Sequence, residues 1–300
     1  MDRFKVLICT YNPNDYLLEQ VDSIINNGIS DILISDDSNV SETSAKAILE
    51  KLIADNDTRI QIVEGIKKGN ASANFLNAIC TLDESVEWLF ISDQDDMWLP
   101  NKVEIYRKSL SKLDAYGQPI AICSDATVVN QHGDIISDSL QSMINRKKNI
   151  LLTDDILFNN CVQGATLCLN KSMIREIKRI KDIVDFNYLE SLYMYDWFIA
   201  ILAKYKGKCI YLNIPTIYYR IHQSNEVGAK KAVIRYCNYI LNTKKTIKKI
   251  YLVYKRYEFI FDFLSKEGIN SSKNPVLSSC SSKIKYLIYK VFYKYELQKY

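Results

Sequence analysis

Histidine is nearly absent from this 300-residue chain. Only His132 and His222 occur, which sets aside a multi-histidine zinc site and any set of histidine acid–base pairs. No Cys-x-x-Cys pair occurs among the eight cysteines, Cys9, Cys80, Cys123, Cys161, Cys168, Cys209, Cys237 and Cys280. Several lie inside apolar, strand-like runs, so they read as buried free thiols in a reducing compartment. No apolar run approaches the roughly 18 to 20 residues of a membrane-spanning helix. The opening residues Met1 to Cys9 carry a short strand pattern without the long apolar stretch of a signal peptide, and a cytoplasmic protein is expected. The glycine fingerprint of dinucleotide-binding proteins and the lysine-containing phosphate loop are also missing. There is no internal repeat and no extended low-complexity run.

What is present is a globular composition, 48% hydrophobic, with room for one large or two ordinary domains. The net charge of +4 hides an asymmetry. Residues 229–300 hold 16 Lys and Arg against 4 Asp and Glu, a charge of +12, which leaves −8 for the first 228. The first hundred residues alternate strand and helix signals: strands at 4–9, 32–35, 60–63 and 88–91, and helices at 14–26, 41–54 and about 71–82. Such alternation predicts parallel strands with right-handed crossovers in a doubly wound sheet. A helix follows Pro100 to about Leu113, and residues 120–130 read as strand closed by Gln131-His132-Gly133, where His132 is structural. Beyond Gly228 come helical segments rich in Lys and Tyr, broken near 268–275 by a polar linker.

The chemistry concentrates where the apolar strand Trp88-Leu89-Phe90-Ile91 ends in Asp93, Asp95 and Asp96. Open α/β sheets bind ligands at the carboxyl ends of their strands. Like charges crowded there need a cation or hydrogen-bond donors, and carboxylates suit Mg2+ or Mn2+ arriving with substrate phosphates. Asp96, shortly before Pro100, also suits a cap for the following helix. Asp37 ends the second strand and can accept from a base N–H or a ribose hydroxyl, or cap a helix at Ser41. Thr10-Tyr11-Asn12 ends the first strand, and Gly69-Asn70 precedes a helix whose backbone amides can approach a ligand. Asp196 lies in an aromatic setting, Tyr-Met-Tyr-Asp-Trp-Phe. Apolar neighbours would raise its pKa, and aromatic faces suit sugar rings. Arg220 and His222 stand two apart, on one face of an extended segment, where Arg220 could meet a diphosphate and His222 a metal or a phosphate.

Thr10-Tyr11-Asn12, Asp36-Asp37-Ser38, Gly69-Asn70 through Asn74-Phe75 and the string from Ser92-Asp93-Gln94-Asp95-Asp96 to Pro100-Asn101-Lys102 resemble family 2 glycosyltransferases of the GT-A fold. The similarity is greatest to bacterial rhamnosyltransferases and related cell-surface polysaccharide transferases. It continues through Ser124-Asp125, Gly164-Ala165-Thr166, Asp196-Trp197 and Tyr219-Arg220-Ile221-His222-Gln223-Ser224-Asn225, covering about residues 1–228. The resemblance implies an α/β domain at 1–228, a Rossmann-like mixed sheet flanked by helices, with 229–300 as a basic helical tail. It implies that Thr10, Asn12 and Asn70 line a nucleotide-sugar pocket and that Asp37 contacts the base. Asp93 would hold the ribose or assist the metal, and Asp95 would bind the Mg2+ or Mn2+ bridging the diphosphate. Asp196 would be the base of an inverting transfer to a glycan hydroxyl.

Processive synthases of this family carry a Gln-x-x-Arg-Trp motif and membrane spans; neither occurs here, which favours transfer of single residues or short chains. A sugar nucleotidylyltransferase would show an early glycine- and arginine-rich loop, and Thr10-Tyr11-Asn12-Pro13 is not one. The intact Asp93, Asp95 and Asp196 speak against a catalytically inactive sugar-binding scaffold. Ten of the 21 tyrosines fall in the tail, interleaved with lysines, a pattern that suits an anionic membrane surface. No nucleic-acid reader motif occurs. The expected partners are therefore a nucleotide-diphosphate sugar, a lipid-linked glycan acceptor and the inner face of a membrane, approached peripherally from the cytoplasm.

Overall fold

The computed structural model describes residues 4–39, 43–55, 59–67, 69–113, 117–144, 148–222, 243–269 and 275–297. Expected features at Ser41, Cys237 and Gln223-Ser224-Asn225, and parts of the tail and of the 268–275 linker, lie outside them. Two compact units form, one from Met1–Asn145 with Val162–His222, the other from Arg146–Cys161 with Gln223–Tyr300.

The first unit opens with β1 (Phe4–Thr10), α1 (Tyr16–Asn26), β2 (Asp31–Asp36), α2 (Thr43–Asp55), β3 (Arg59–Glu64), α3 (Ala71–Thr81) and β4 (Trp88–Asp93). β1 is buried along its whole length, as a central parallel strand must be when helices cover both faces. α1 buries Leu17, Gln20, Val21 and Ile24 at helical spacing and stops at Asn27-Gly28, where Gly28 takes φ +79°. There follow β5 (Met97–Trp98), α4 (Lys102–Leu110), β6 (Ile120–Val129), β7 (Ile135–Ser137), α5 (Leu140–Met143), β8 (Cys168–Asn170), α6 (Lys171–Lys181), α7 (Phe186–Leu192), α8 (Tyr195–Lys206) and β9 (Lys208–Arg220).

The strand order is β3-β2-β1-β4-β8-β6-β9-β5, with β7 beside β6. Pairing is parallel from β3 to β4, as the alternation predicts. It turns antiparallel at β8, which lies between β4 and β6, so the sheet is mixed. β9 runs parallel to β6 with irregularities at Ser124, Asp125 and Thr127. Its partly exposed, irregular residues carry no clean alternation, which is why its 13 residues were not legible as a strand. Ile8, Ile34, Phe90, Trp98, Tyr106 and Ile122 belong to one buried core.

The second unit contains α9 (Thr243–Lys266) and α10 (Cys280–Leu297), joined by residues 154–159. Phe158 packs on Tyr257 with ring centroids 4.4 Å apart and on Tyr286 at 6.0 Å; Phe261 meets Tyr289 at 5.1 Å. Tyr254 and Tyr257 are therefore core and Tyr286 and Tyr289 half-buried, because two amphipathic helices pack their aromatic faces on each other. The outer face of α10 is aliphatic instead: Ile284, Leu287 and Val291 are exposed. Among the described residues no helix is long and apolar enough to cross a membrane.

Candidate active site

The sheet register sets three strand ends side by side. Thr10 pairs with Asp36 across β1 and β2, and Cys9 with Asp93 across β1 and β4. Thr10 Oγ1 donates to the Asp36 carboxylate at 2.7 Å, and Ser38 Oγ donates to the same oxygen at 2.6 Å while accepting the Asn12 amide at 2.7 Å. Asn12 takes φ 47°, a left-handed conformation that asparagine tolerates better than most residues. Asp37 donates its amide to the Thr10 carbonyl at 2.9 Å, and its carboxylate accepts the Asn70 amide at 3.1 Å. Asn70 caps α3, accepting the Ala73 amide at 3.1 Å. Gly69 sits at φ +62°, where a Cβ would stand 3.4 Å from the Tyr11 ring. Thr10, Asn12, Asp37 and Asn70 are thus linked through one chain of bonds at the carboxyl edge.

Gln94, inside the acidic string, ties that chain to the next strand end. It accepts the Tyr11 amide at 2.8 Å and donates to the Tyr11 carbonyl at 3.2 Å. Gln20 from α1 donates to Ser92 Oγ and to the Asp93 carbonyl, the latter at 3.2 Å. β5 then pairs antiparallel with β9, Met97 opposite Tyr218, and this brings the end of β9 back to the acidic turn. His222 Nε2 lies 2.7 Å from Asp95 Oδ2.

Arg220 braces the same turn. Its amide donates to Asp96 at 3.1 Å, Nε to the Asp95 carbonyl at 3.1 Å and Nη1 to the Gln131 carbonyl at 3.1 Å, while Nη2 pairs with Glu19. The guanidinium also lies 4.2 Å over the Tyr16 ring. Asp96 is buried; burial first, then the charges of Asp95 and Asp93, push its carboxyl well above the ordinary range. Its interior position fits a structural part in the turn.

Asp196 stands in the first turn of α8, where Oδ1 accepts the Trp197 amide at 2.6 Å. It is buried, and its neighbour Tyr195 stacks on Phe75 with centroids 4.3 Å apart. Burial pushes the Tyr195 phenol well above its usual value, and the acidic groups Asp93, Asp196, Cys9 and Asp96 add to this. Beneath the site, Lys102 Nζ is fully buried, donates to the Ala165 carbonyl at 3.0 Å and lies 4.0 Å over the Trp98 ring. Burial lowers it to about 7 against the opposing pull of Cys168, Asp96 and Asp93. Tyr106 donates to the next carbonyl, Thr166, so α4 fixes the Gly164–Thr166 turn at two points.

A divalent cation fits the donor chemistry of Asp95 and His222, a carboxylate oxygen and an imidazole nitrogen that already converge. Among the described residues no three His, Cys, Asp or Glu side chains group as ligands, so further ligands would come from a diphosphate and water.

Known proteins sharpen this picture. The sequence profile of Glycosyl transferase family 2 matches residues 5–172, more than half of the chain. The chain belongs to this family. It is a glycosyltransferase, which decides against nucleotidyl transfer as its reaction class. The transferase is 26% identical over 225 residues to the dTDP-rhamnosyl transferase RfbG of Shigella flexneri, covering 74% of each chain. Its fold is that of Staphylococcus aureus TarS 1-349, solved with UDP-GlcNAc: TM-score 0.57, 14% identity, 96% of this chain and 70% of that one. It is likewise that of the mannosyltransferase PcManGT from Pyrobaculum calidifontis, solved with GDP-Man and Mn2+: TM-score 0.51, 12% identity, 74% and 58% of the chains. The transferase thus has the expected GT-A fold.

Its structure brings Asp95, His222, Arg220 and Asp96 together, and links Thr10, Asn12, Asp37 and Asn70 in a second group. Sequence reasoning missed Gln94, Gln20 and Tyr195. Gln94 had a signal, its place within the acidic string. Tyr195 was visible only as an aromatic neighbour of Asp196, and nothing marked Gln20.

Proposed function

We propose that this transferase moves a sugar, a 6-deoxyhexose in the first instance, from a nucleotide diphosphate to a hydroxyl of a cell-surface glycan with inversion at the anomeric carbon. The observation that carries it is the convergence of Asp95 and His222 at 2.7 Å beside the strand-end Asp93, with Asp196 buried at the start of α8. In this reading Asp37, Thr10, Asn12 and Asn70 form the nucleoside side of the site, and Asp93 meets the ribose. Arg220, expected to meet the diphosphate, is bonded instead to Asp95, Asp96, Gln131 and Glu19 and braces the acidic turn. A Mg2+ or Mn2+ ion held there would neutralise charge on the diphosphate leaving group. The acceptor oxygen attacks the anomeric carbon and passes its proton to the Asp196 carboxylate. The bond to the diphosphate breaks, and its electron pair leaves with the phosphate oxygen. The relative's name supports dTDP-rhamnose as the first donor to try.

The acceptor in this reading is lipid-linked, and the protein works peripherally at the cytoplasmic face of a membrane. The exposed row Ile284, Leu287 and Val291 on α10, with Lys283, Lys290 and Lys294 exposed beside it, supports this. Salt-reversible co-sedimentation of the full chain with phosphatidylglycerol vesicles, and not with phosphatidylcholine vesicles, is expected; no binding at low salt would remove the membrane element.

A panel of nucleotide sugars incubated with enzyme and Mn2+ tests the reaction. Hydrolysis of one donor, abolished by EDTA and by Asp95→Ala, is expected, and Asp196→Asn should bind that donor with little turnover. Turnover indifferent to EDTA would overturn the metal-assisted mechanism.

A further inference from the structure

Tyr195, like Asp96 at Oδ2, carries near the acidic turn a buried polar atom that is set in place without a use inside the fold. Its amide donates to Ser72 Oγ at 3.2 Å, its ring stacks on Phe75 at an interplanar angle of 28°, and its tip abuts Gly164, where a Cβ would collide with the phenol. Glycine at 164 is what leaves room for the hydroxyl. The residue is only 5% exposed, yet the hydroxyl has no hydrogen-bond partner among the described residues. Such an orphan costs the fold roughly 1–3 kcal/mol, and phenylalanine would fill the same space without that cost. The ring is held by its stacking on Phe75 and by the close approach of Gly164.

The surroundings select the chemistry of the missing partner. Asp93 and Asp196, ahead of Cys9 and Asp96, are the acidic groups whose field bears on this hydroxyl, so a phosphate there would be repelled. A neutral hydroxyl suits it, accepting the phenolic proton while donating its own to a carboxylate. We propose that the Tyr195 hydroxyl is a sugar-binding group of the active site, taking a hydroxyl either of the transferred sugar or of the attacking acceptor. The proposal rests on the glycosyl-transfer reading above and adds a contact that the fold alone does not require.

Tyr195→Phe in the full chain tests it, with donor hydrolysis as the readout because water then stands in for the acceptor. The donor is whichever of dTDP-rhamnose, UDP-GlcNAc and GDP-mannose the wild type hydrolyses fastest. A fall in kcat/KM of tenfold or more is expected, with a melting temperature unchanged or raised. A rise in donor KM assigns the bond to the transferred sugar. A fall in kcat at unchanged KM assigns it to the attacking hydroxyl. Hydrolysis within twofold of wild type would overturn the proposal, as would a melting temperature several degrees lower, which would mean that the hydroxyl is bonded within the fold. Absence of any wild-type hydrolysis would count against the transfer reading and this one together, whereas an unaffected variant counts against Tyr195 alone.

Discussion

Replacing Asp155 by Ala should loosen α10. Its carboxylate accepts the amides of Ser278 at 3.1 Å and Ser279 at 3.2 Å, Ser279 Oγ at 3.2 Å, Thr153 Oγ1 at 2.9 Å, and Ser278 Oγ. Ser279 in turn accepts the Ser282 amide at 3.1 Å, so Asp155 holds the capping residue of α10 and places a negative charge at that helix N-terminus. Burial by itself would raise this carboxyl, but the serine and threonine hydroxyls and the Ser279 amide outweigh it and bring it down to about 2 from 3.8. Nearly two pH units correspond to about 2 kcal/mol. The side chain is 1% exposed, so solvent screens little of that. Leaving the Ser278 and Ser279 amides without their acceptor adds on the order of 1 kcal/mol.

The sign follows from the lowered value. Stability from Asp155 is fully present above about pH 4 and is lost as pH falls towards 2. Hydrogen exchange read by mass spectrometry over 276–297 should show protection lowered by about 3 kcal/mol in Asp155→Ala at pH 7. In Asp155→Asn, which keeps shape but not charge, the deficit relative to wild type should shrink between pH 4 and pH 2. Unchanged protection, or a deficit constant across that range, would refute the reasoning.

Two further outcomes are expected. Lys102→Met should alter the pH dependence of stability: above about pH 7 the buried amine is neutral in the fold but still protonated when unfolded, so rising pH favours the wild-type fold. Urea unfolding at pH 7 and pH 9 should show wild type gaining on Lys102→Met by on the order of 2 kcal/mol; no gain would mean that the amine stays charged. Gly164→Ala should destabilise by about 1–3 kcal/mol, since the added methyl strikes the Tyr195 phenol, and part of the loss should return in the double variant with Tyr195→Phe. Strict additivity in thermal unfolding would show that the two residues do not press on each other.

The alternation of buried strands and amphipathic helices up to Asp93 was readable because each element satisfies its own period: β1 is buried throughout, and α1 buries every third or fourth residue. The acidic strand end was readable for a related reason, since charges abutting an apolar strand stand out in composition alone. β9 was not, because its burial is set by neighbours distant in sequence and leaves no alternation. The recruitment of Asp155 and Phe158 to the tail was hidden likewise, lying about 120 residues from Ser278.

By itself, then, the sequence determined the parallel half of the sheet, the clustering of Asp93, Asp95 and Asp96 at its edge, and the family to which the motifs are similar. Only the tertiary structure decided what those carboxylates face. The antiparallel pairing of β5 with β9 sets His222 against Asp95, 127 residues away in sequence. The packing of α8 buries the Tyr195 hydroxyl and leaves it without a partner among the described residues. Periodicity is a local property that neighbouring residues impose on one another, whereas a hydrogen bond across the sheet depends on chain crossings and register that no local pattern encodes.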